Sequence, residues 1–158
     1  MRTAIFPGSF DPFTRGHEAI VSQALSLFDK VIIAIGDNIG KKSLLTPQQR
    51  LRLIESLYAD NERVEAIVYS TLTGEAARTM GANAIIRGVR NTIDFEYERT
   101  LAQTNKRLFP EIETVLLLTP AFLADVSSSA VRELLAFGHS VEDMLPEGVD
   151  LNSCKNQE

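Results

Sequence analysis

The stretch PGSFDPFTRGHEAI, residues Pro7–Ile20, decides how this chain folds. It follows an apolar run, Thr3–Phe6, that predicts a first strand. Its glycines and prolines predict a tight, non-helical turn, after which His17 falls in the first turn of a helix over His17–Phe28. A helix N-terminus presents unpaired N–H groups and the positive end of a dipole, so the segment favours phosphate binding over a plain turn with a surface histidine.

Outward from this stretch, short β-branched runs alternate with helical patterns. Further strands are predicted at Lys30–Ile35, Val64–Tyr69, Asn83–Ile86 and Thr114–Leu118. Helices are predicted at Pro47–Tyr58, Glu75–Met80, Ile93–Leu108, Ser128–Phe137 and, as a last short one, Val141–Leu145. Nearly continuous apolar strands in such an alternation indicate an α/β fold, a single-domain, Rossmann-like, doubly wound parallel sheet of five strands.

Composition places limits on the function. The chain has 158 residues, 44% of them apolar, a net charge of −5 and one cysteine, Cys154. These numbers fit one globular domain and disfavour a nucleic-acid partner, which would need a broad basic face. No stretch is apolar enough to span a membrane, and the start lacks a signal peptide, so we expect a cytoplasmic protein. Cys154 lies in a polar end and is interpreted as an incidental exposed thiol.

Three further loops follow predicted strands, at the sheet edge where parallel α/β folds bind ligands. Gly36–Thr46 carries Lys41 and Lys42, which could neutralise a phosphate or form an ordinary solvated pair. Ile85–Glu98 carries Arg87 and Arg90 on either side of a glycine. Two guanidinium groups suit a polyphosphate or a phosphomonoester.

The alternative for these arginines is an ion pair with Asp94, Glu96 or Glu98. The last loop, Thr119–Leu134, places Ser127–Ser129 at the start of a helix and Arg132 one turn later. One serine can act as the N-cap, and three in a row exceed what capping requires.

Several motifs are absent from the sequence. It contains no GxxxxGK[ST] loop, and no GxGxxG follows the first strand, which argues against a P-loop enzyme and a dinucleotide oxidoreductase. We find no Ser-His-Asp arrangement and predict no protein-held metal site. His139, the second histidine, follows a helix-ending glycine and is predicted to lie at a surface turn.

Together, FPGSFDPFTRGH, the double lysine, IIRGVRNTIDFEYE and VSSSAVREL resemble the bacterial phosphopantetheine adenylyltransferases of the nucleotidyltransferase superfamily. The resemblance runs from Arg2 to about Val149, so we expect a nucleotidyltransferase domain over 1–149 and a polar, frayed tail over 150–158. It implies reversible transfer of AMP from ATP to 4′-phosphopantetheine, giving dephospho-coenzyme A and pyrophosphate. It also implies Mg²⁺ carried with ATP, a homo-oligomer of hexameric form, and coenzyme A as an inhibitor.

The resemblance further implies roles for individual residues. Catalysis would depend on His17, Lys41 and Arg90. The ATP site would comprise Ser9, Phe10, His17, Gly88, Val89, Arg90, Glu98, Leu123, Ala124, Asp125, Val126, Ser127, Ser128 and Ser129. The acceptor would contact Ser9, Lys41, Leu72, Thr73, Arg87, Leu101 and Asn105.

Two alternatives stay open. A related transferase could use another acceptor, such as nicotinamide mononucleotide, or glycerol phosphate with CTP. A non-catalytic module could bind ATP on the same fold without turnover.

Overall fold

The computed structural model describes residues 1–38, 40 and 42–156. The strands are β1 (Thr3–Gly8), β2 (Lys30–Gly36), β3 (Val64–Tyr69), β4 (Ala84–Val89) and β5 (Glu113–Leu118). The α-helices are α1 (Arg15–Leu27), α2 (Pro47–Leu57), α3 (Thr73–Thr79), α4 (Thr92–Leu108), α5 (Ser128–Ala136) and α6 (Leu151–Lys155). Two 3-10 turns lie at Ala121–Leu123 and Glu142–Met144.

The five strands form one parallel sheet in the order β3-β2-β1-β4-β5. The chain therefore winds outward from β1 in one direction through β2 and β3, and then crosses back to add β4 and β5. This confirms the predicted doubly wound parallel sheet. The order reverses between β1 and β4, and the crevice above that point is where such sheets bind ligands.

Both faces of the sheet are covered, because neighbouring side chains on each strand point to opposite sides. On one face, residues such as Ile33 pack with Val21 of α1, Ile54 of α2 and Val131 of α5. On the other, Ile5, Ile32 and Ile85 pack with α3 and with Phe109. Burial on both faces explains why the strands have nearly continuous apolar sequences.

Side-chain caps start four of the helices that follow the carboxyl ends of the strands: α1, α2, α4 and α5. Thr46 and Gln49 form the predicted capping box at the start of α2, with Pro47 at the first helical position. Thr14 caps α1, Asn91 caps α4 and Ser127 caps α5. Each cap satisfies an N–H group at a helix start, which fixes where the preceding loop ends.

The end of the chain differs from expectation. The prediction of a frayed tail is wrong for 151–155, because Asp150 caps α6 and Leu151 is buried against the same core as α2. Cys154 is half-buried on that core, so the prediction of an exposed thiol is also wrong, and burial raises its pKa. The short helix predicted at Val141–Leu145 is a 3-10 turn, Glu142–Met144. Among the described residues, none of the helices combines the length and the apolar character that crossing a bilayer requires.

Candidate active site

A cavity of about 540 Å³ opens at the carboxyl ends of β1 and β4, between the loops that begin α1, α4 and α5. The predicted site residues that line it are Ser9, Phe10, His17, Arg87, Gly88, Arg90, Glu98, Val126, Ser127, Ser128 and Ser129. Asp94, Tyr97, Thr119 and Arg132 also contribute to its wall. The structure thus brings together residues from three loops that are far apart in sequence.

The loop after β1 is held in an unusual conformation at Phe10, which has a φ of 50°. Few residues other than glycine adopt a positive φ, so the surrounding contacts must hold this one in place. The Phe10 ring is buried and lies over Gly8, where a Cβ atom would come within 3.0 Å of Phe10 Cζ. Gly8 therefore makes room for the ring that supports the loop.

His17 is fixed by its own helix cap. Its Nδ1 accepts a hydrogen bond from the Thr14 backbone N–H at 3.0 Å, while Thr14 Oγ1 accepts the His17 N–H at 3.4 Å. Since Nδ1 acts as an acceptor, the neutral ring must carry its proton on Nε2. His17 can consequently donate one hydrogen bond from Nε2 to a phosphate oxygen.

The surroundings of His17 disfavour its charged form. The rings of Phe10 and Phe13 lie 4.9 and 5.4 Å from the imidazole, centroid to centroid. Burial lowers the pKa of His17 from 6.5 to about 4, helped by the positive charges of Arg90 and Arg87. His17 is therefore a neutral hydrogen-bond donor at physiological pH.

The two arginines of the β4 loop are paired with carboxylates, which was the alternative left open by the sequence. Arg87 Nε and Nη2 donate to the two oxygens of Glu98 at 2.7 and 2.8 Å. Arg90 donates through Nε to Asp94 at 2.9 Å, and through its backbone N–H at 3.0 Å. The hydrogen bond to Arg90 lowers the pKa of Asp94.

The ion pair with Glu98 orients Arg87 and leaves some of its N–H donors free to bind a ligand. Arg87 uses three N–H groups in its bonds to Glu98 and to the Pro7 carbonyl, which accepts from Nη1 at 2.8 Å. A guanidinium group has about five N–H groups. Two of those of Arg87 make no hydrogen bond to the described residues and are available to a ligand. Arg87 can therefore bind a phosphate while Glu98 holds its orientation.

The three serines at the start of α5 have different contacts. Ser127 Oγ accepts the Ala130 N–H at 3.1 Å as the N-cap. Ser128 donates to the Pro12 carbonyl at 2.7 Å and joins α5 to the β1 loop. Ser129 Oγ accepts from Arg132 Nη2 at 3.2 Å. All three line the cavity at a helix N-terminus, where an anion is favoured.

A second cavity, of about 240 Å³, adjoins the first on the α3 and α4 side of the sheet. It shares Pro7, Arg87 and Glu98 with the main cavity, so the Arg87–Glu98 pair forms part of the wall of both. Four of the residues predicted to contact the acceptor line this second cavity and not the main one: Leu72, Thr73, Leu101 and Asn105.

A third cavity, of about 320 Å³, lies on the α2 side and shares Ser9 and Arg132 with the main one. Lys42 lines it together with three charged residues that sequence reasoning missed, Asp11, Asp37 and Arg50. Burial lowers the pKa of Arg50, and the nearby Asp11 and Asp37 carboxylates oppose that effect. Arg50 could have been noticed from its spacing, since it lies three and four residues before the buried Leu53 and Ile54.

Some predicted residues do not line the main cavity. Val89 is buried in β4, and Leu123, Ala124 and Asp125 lie in the turn before α5, so their contacts with a nucleotide stay predictions. Lys41 falls outside the described residues. Within the described ranges, no three His, Cys, Asp or Glu side chains form a group that could hold a metal ion.

Comparison with known proteins first defines the class. Residues 5–134 match the family model described as cytidylyltransferase-like. A solved structure of a bifunctional NMN adenylyltransferase/ADP ribose pyrophosphatase from Francisella tularensis superimposes with a TM-score of 0.70 at 19% identity, over 91% of this chain. The match spans 44% of that longer protein, and at this low identity it supports the fold alone.

Several relatives then define the family. A phosphopantetheine adenylyltransferase of Porphyromonas gingivalis is 51% identical over 94% of this chain and 97% of its own length. Those of Phocaeicola vulgatus and Bacteroides thetaiotaomicron are 48% and 45% identical over 96% of this chain and 100% of their own lengths. The chain belongs to the phosphopantetheine adenylyltransferase family.

Proposed function

We propose that this chain transfers an adenylyl group from ATP to 4′-phosphopantetheine, forming dephospho-coenzyme A and pyrophosphate. The observation that carries this proposal is the pair of cavities that meet at Arg87 and Glu98. The main cavity offers cations and a helix N-terminus to a nucleotide. Away from Arg87 and Glu98, the second is bounded by apolar, hydroxyl and amide side chains and suits a narrow, uncharged arm. Their shared arginine lies where the phosphate of such an acceptor would enter.

The chemistry requires little from the protein beyond position and charge. A phosphate oxygen of the acceptor attacks the α-phosphorus of ATP, and the bond from that phosphorus to the bridging oxygen breaks as pyrophosphate leaves. The acceptor is already an anion, so no general base is required. Nε2–H of His17 stabilises the oxygens of the α-phosphate as their charge rises, and Arg90 neutralises the polyphosphate.

Lys41 completes the proposed set of catalytic residues. Together with Arg87 it would hold the acceptor phosphate, and Ser9 would contact both phosphates. Adenine and ribose would lie along Gly88, Val89, Glu98 and the turn from Leu123 to Val126. For these residues the support is their match to the family's motifs and, for Ser9, Gly88, Glu98 and Val126, their place in the cavity wall.

Magnesium is proposed to enter with the nucleotide. The described residues include no group of three metal-binding side chains, so the residues present fit a metal held by ATP phosphates and water better than a protein-held ion. When bound, Mg²⁺ would neutralise part of the triphosphate charge. A titration of activity against Mg²⁺ at fixed ATP tests this point, since a requirement that follows the concentration of MgATP supports it.

We also propose that the chain forms a homo-oligomer, with a hexamer as the expected size. Ile93 and Tyr97 on α4, Leu118 at the end of the edge strand β5, and Phe122 all project large apolar side chains into solvent. α4 buries only Glu98 against its own chain. Sedimentation of the protein measures the size of the assembly. We expect Phe122 at the interface between subunits, so Phe122→Glu should shift the assembly towards smaller species.

Two further proposals concern the location of the enzyme in the cell and its inhibition by coenzyme A. We expect a cytoplasmic enzyme, which cell fractionation tests. Coenzyme A should inhibit, because it carries the same pantetheine arm as the acceptor and would compete for the cavity lined by Leu72 and Asn105. Inhibition that is competitive against phosphopantetheine supports the shared cavity.

The decisive experiment measures pyrophosphate release from MgATP with three acceptors: 4′-phosphopantetheine, nicotinamide mononucleotide and glycerol phosphate, the last also with CTP. Release with phosphopantetheine alone supports the proposal. Release with another acceptor favours the related transferase. ATP binding without release in any reaction favours the non-catalytic module.

A further inference from the structure

Two buried charged residues, Asp11 and Arg50, join the loop after β1 to the loop after β2. Asp11 is 6% exposed, and its two carboxylate oxygens accept the backbone N–H groups of Leu44 and Leu45, both at 2.8 Å. Leu45 is itself buried in the core. The β1 loop thus holds the end of the β2 loop through two charge-assisted hydrogen bonds.

Arg50 makes the complementary connection from α2. It is 5% exposed and donates to three backbone carbonyls: Ser9 at 2.6 Å, Leu45 at 3.1 Å and Gly36 at 3.4 Å. These carbonyls lie on the β1 loop and at the two ends of the segment between β2 and α2. One planar guanidinium group therefore sets the distances between three pieces of backbone, which a lysine ammonium cannot reproduce.

The same contacts stabilise the positive φ of Phe10. The carbonyl of the preceding residue, Ser9, accepts from Arg50, and the carbonyl of the following residue, Asp11, accepts from Arg132 Nη1 at 2.7 Å. Phe10 packs on the imidazole of His17. Arg50 is consequently linked through the Ser9–Asp11 backbone to the position of the proposed catalytic histidine.

We propose that Asp11 and Arg50 are a positioning pair. They hold the two ends of the β2 loop, at Gly36 and at Leu44–Leu45, in register with the β1 loop, which carries Ser9, Phe10 and His17. The sequence between these ends includes Lys41 and Lys42. This inference rests on the function proposed above. Both residues act through backbone atoms, and their effect on the reaction comes from the alignment of the two loops. Gly88 and Ser127–Ser129, which are proposed to contact the nucleotide, belong to β4 and to the start of α5. Asp11 and Arg50 act on α5 indirectly, through the β1 loop that Ser128 and Arg132 contact, so we expect a smaller effect on the nucleotide site than on the acceptor site.

The kinetic test compares Arg50→Lys and Asp11→Asn with the unchanged protein. We expect kcat to fall on the order of ten- to hundredfold and the KM for phosphopantetheine to rise, because small displacements of aligned groups carry large rate effects. The KM for ATP should change by less than about threefold. The double variant should lose little more than the worse single one, since the two residues serve the same alignment.

Leu53→Ala is the matched control. Leu53 lies one turn after Arg50 on α2, is buried in the same core and lines none of the three cavities. Its truncation removes buried apolar volume from the core but leaves the hydrogen bonds of Asp11 and Arg50 in place, so below its unfolding temperature its kinetic constants should stay close to those of the unchanged protein. If Leu53→Ala reproduces the kinetic losses, or if Arg50→Lys raises both KM values equally, the pair has no positioning role.

Hydrogen exchange gives a readout that needs no turnover. In Asp11→Asn, the backbone amides of Leu44 and Leu45 should exchange about tenfold faster or more, while the exchange of the strand amides should not change. Loop exchange that matches the unchanged protein overturns the proposal even if activity is lost. If the unchanged protein releases no pyrophosphate, the function proposed above fails, and the exchange data alone then decide the positioning role.

Discussion

The neutral state of His17 can be tested directly, because the chain has only two histidines and the other, His139, lies on the surface. We expect a ring protonated on Nε2, with a pKa of about 4 in the ligand-free protein. Nitrogen-15 spectra of the two rings across a pH titration identify the tautomer and the midpoint. His139→Gln removes one set of signals and so assigns the other.

The low pKa has a calculable effect on stability. In the unfolded chain His17 takes up a proton at its ordinary value of 6.5, while in the folded protein it does so only near pH 4. The stability associated with the neutral ring is therefore fully present above pH 6.5 and is lost as the pH falls from 6.5 to 4. Between about pH 7.5 and about pH 5 the loss should be about 2 kcal/mol.

Urea unfolding at these two pH values measures that loss. His17→Gln keeps a donor near the position of Nε2 and cannot titrate, so its stability should fall by about 2 kcal/mol less than that of the unchanged protein over the same interval. All other titrating groups are common to both proteins and cancel in the comparison. Equal pH dependence in the two proteins, or a His17 midpoint near 6.5, would refute the reasoning from burial and neighbouring charge.

Further predictions concern activity and packing. His17→Ala should lower kcat roughly hundredfold with little change in ATP affinity measured by calorimetry, and an equal loss in both would remove its transition-state role. Arg87→Ala should raise the KM for phosphopantetheine roughly tenfold or more in steady-state assays, and an unchanged KM would place the acceptor phosphate elsewhere. Gly74→Ala puts a Cβ atom 2.0 Å from Phe109 Cδ2. It should therefore cost about 1–3 kcal/mol in urea unfolding and narrow the cavity beside α3, with a wild-type transition contradicting the packing. Thr46→Ala should cost about 1 kcal/mol by the same assay, and no loss would mean that the capping box contributes nothing to α2.

Much of the fold follows from the sequence because strands buried on both faces leave a simple pattern. The run KVIIAI predicts β2 over Lys30–Ile35, and the strand extends one residue further, to Gly36. The capping box at Thr46 was predictable because it depends on residues three apart in the chain. The gathering at one edge of the loops that carry candidate site residues was predictable in turn, because all carboxyl ends of a parallel sheet lie together, and predicted residues from three of those loops line one cavity.

The ion pairs of the site could not be predicted from the sequence. The sequence left three carboxylates as possible partners of two arginines, and only the fold shows Arg87 paired with Glu98 and Arg90 with Asp94. Asp94 and Glu98 are one turn apart on α4, so both face the cavity, and the path of β4 decides which arginine reaches which. Such pairings depend on distances between segments, which local patterns do not contain.

The departures from local rules are concentrated at the site. Phe10 adopts a positive φ, and the charged side chains of Asp11 and Arg50 are buried. His17 has a lowered pKa and is neutral, because it is buried near two arginines. Each is unfavourable in isolation and is accompanied by hydrogen bonds that involve backbone N–H or carbonyl groups. An enzyme that works by alignment requires rigid loops, and buried charges bonded to backbone provide rigidity that apolar packing of a short loop cannot. The cost in stability is thus tied to the same contacts that hold the groups proposed to bind phosphate in place.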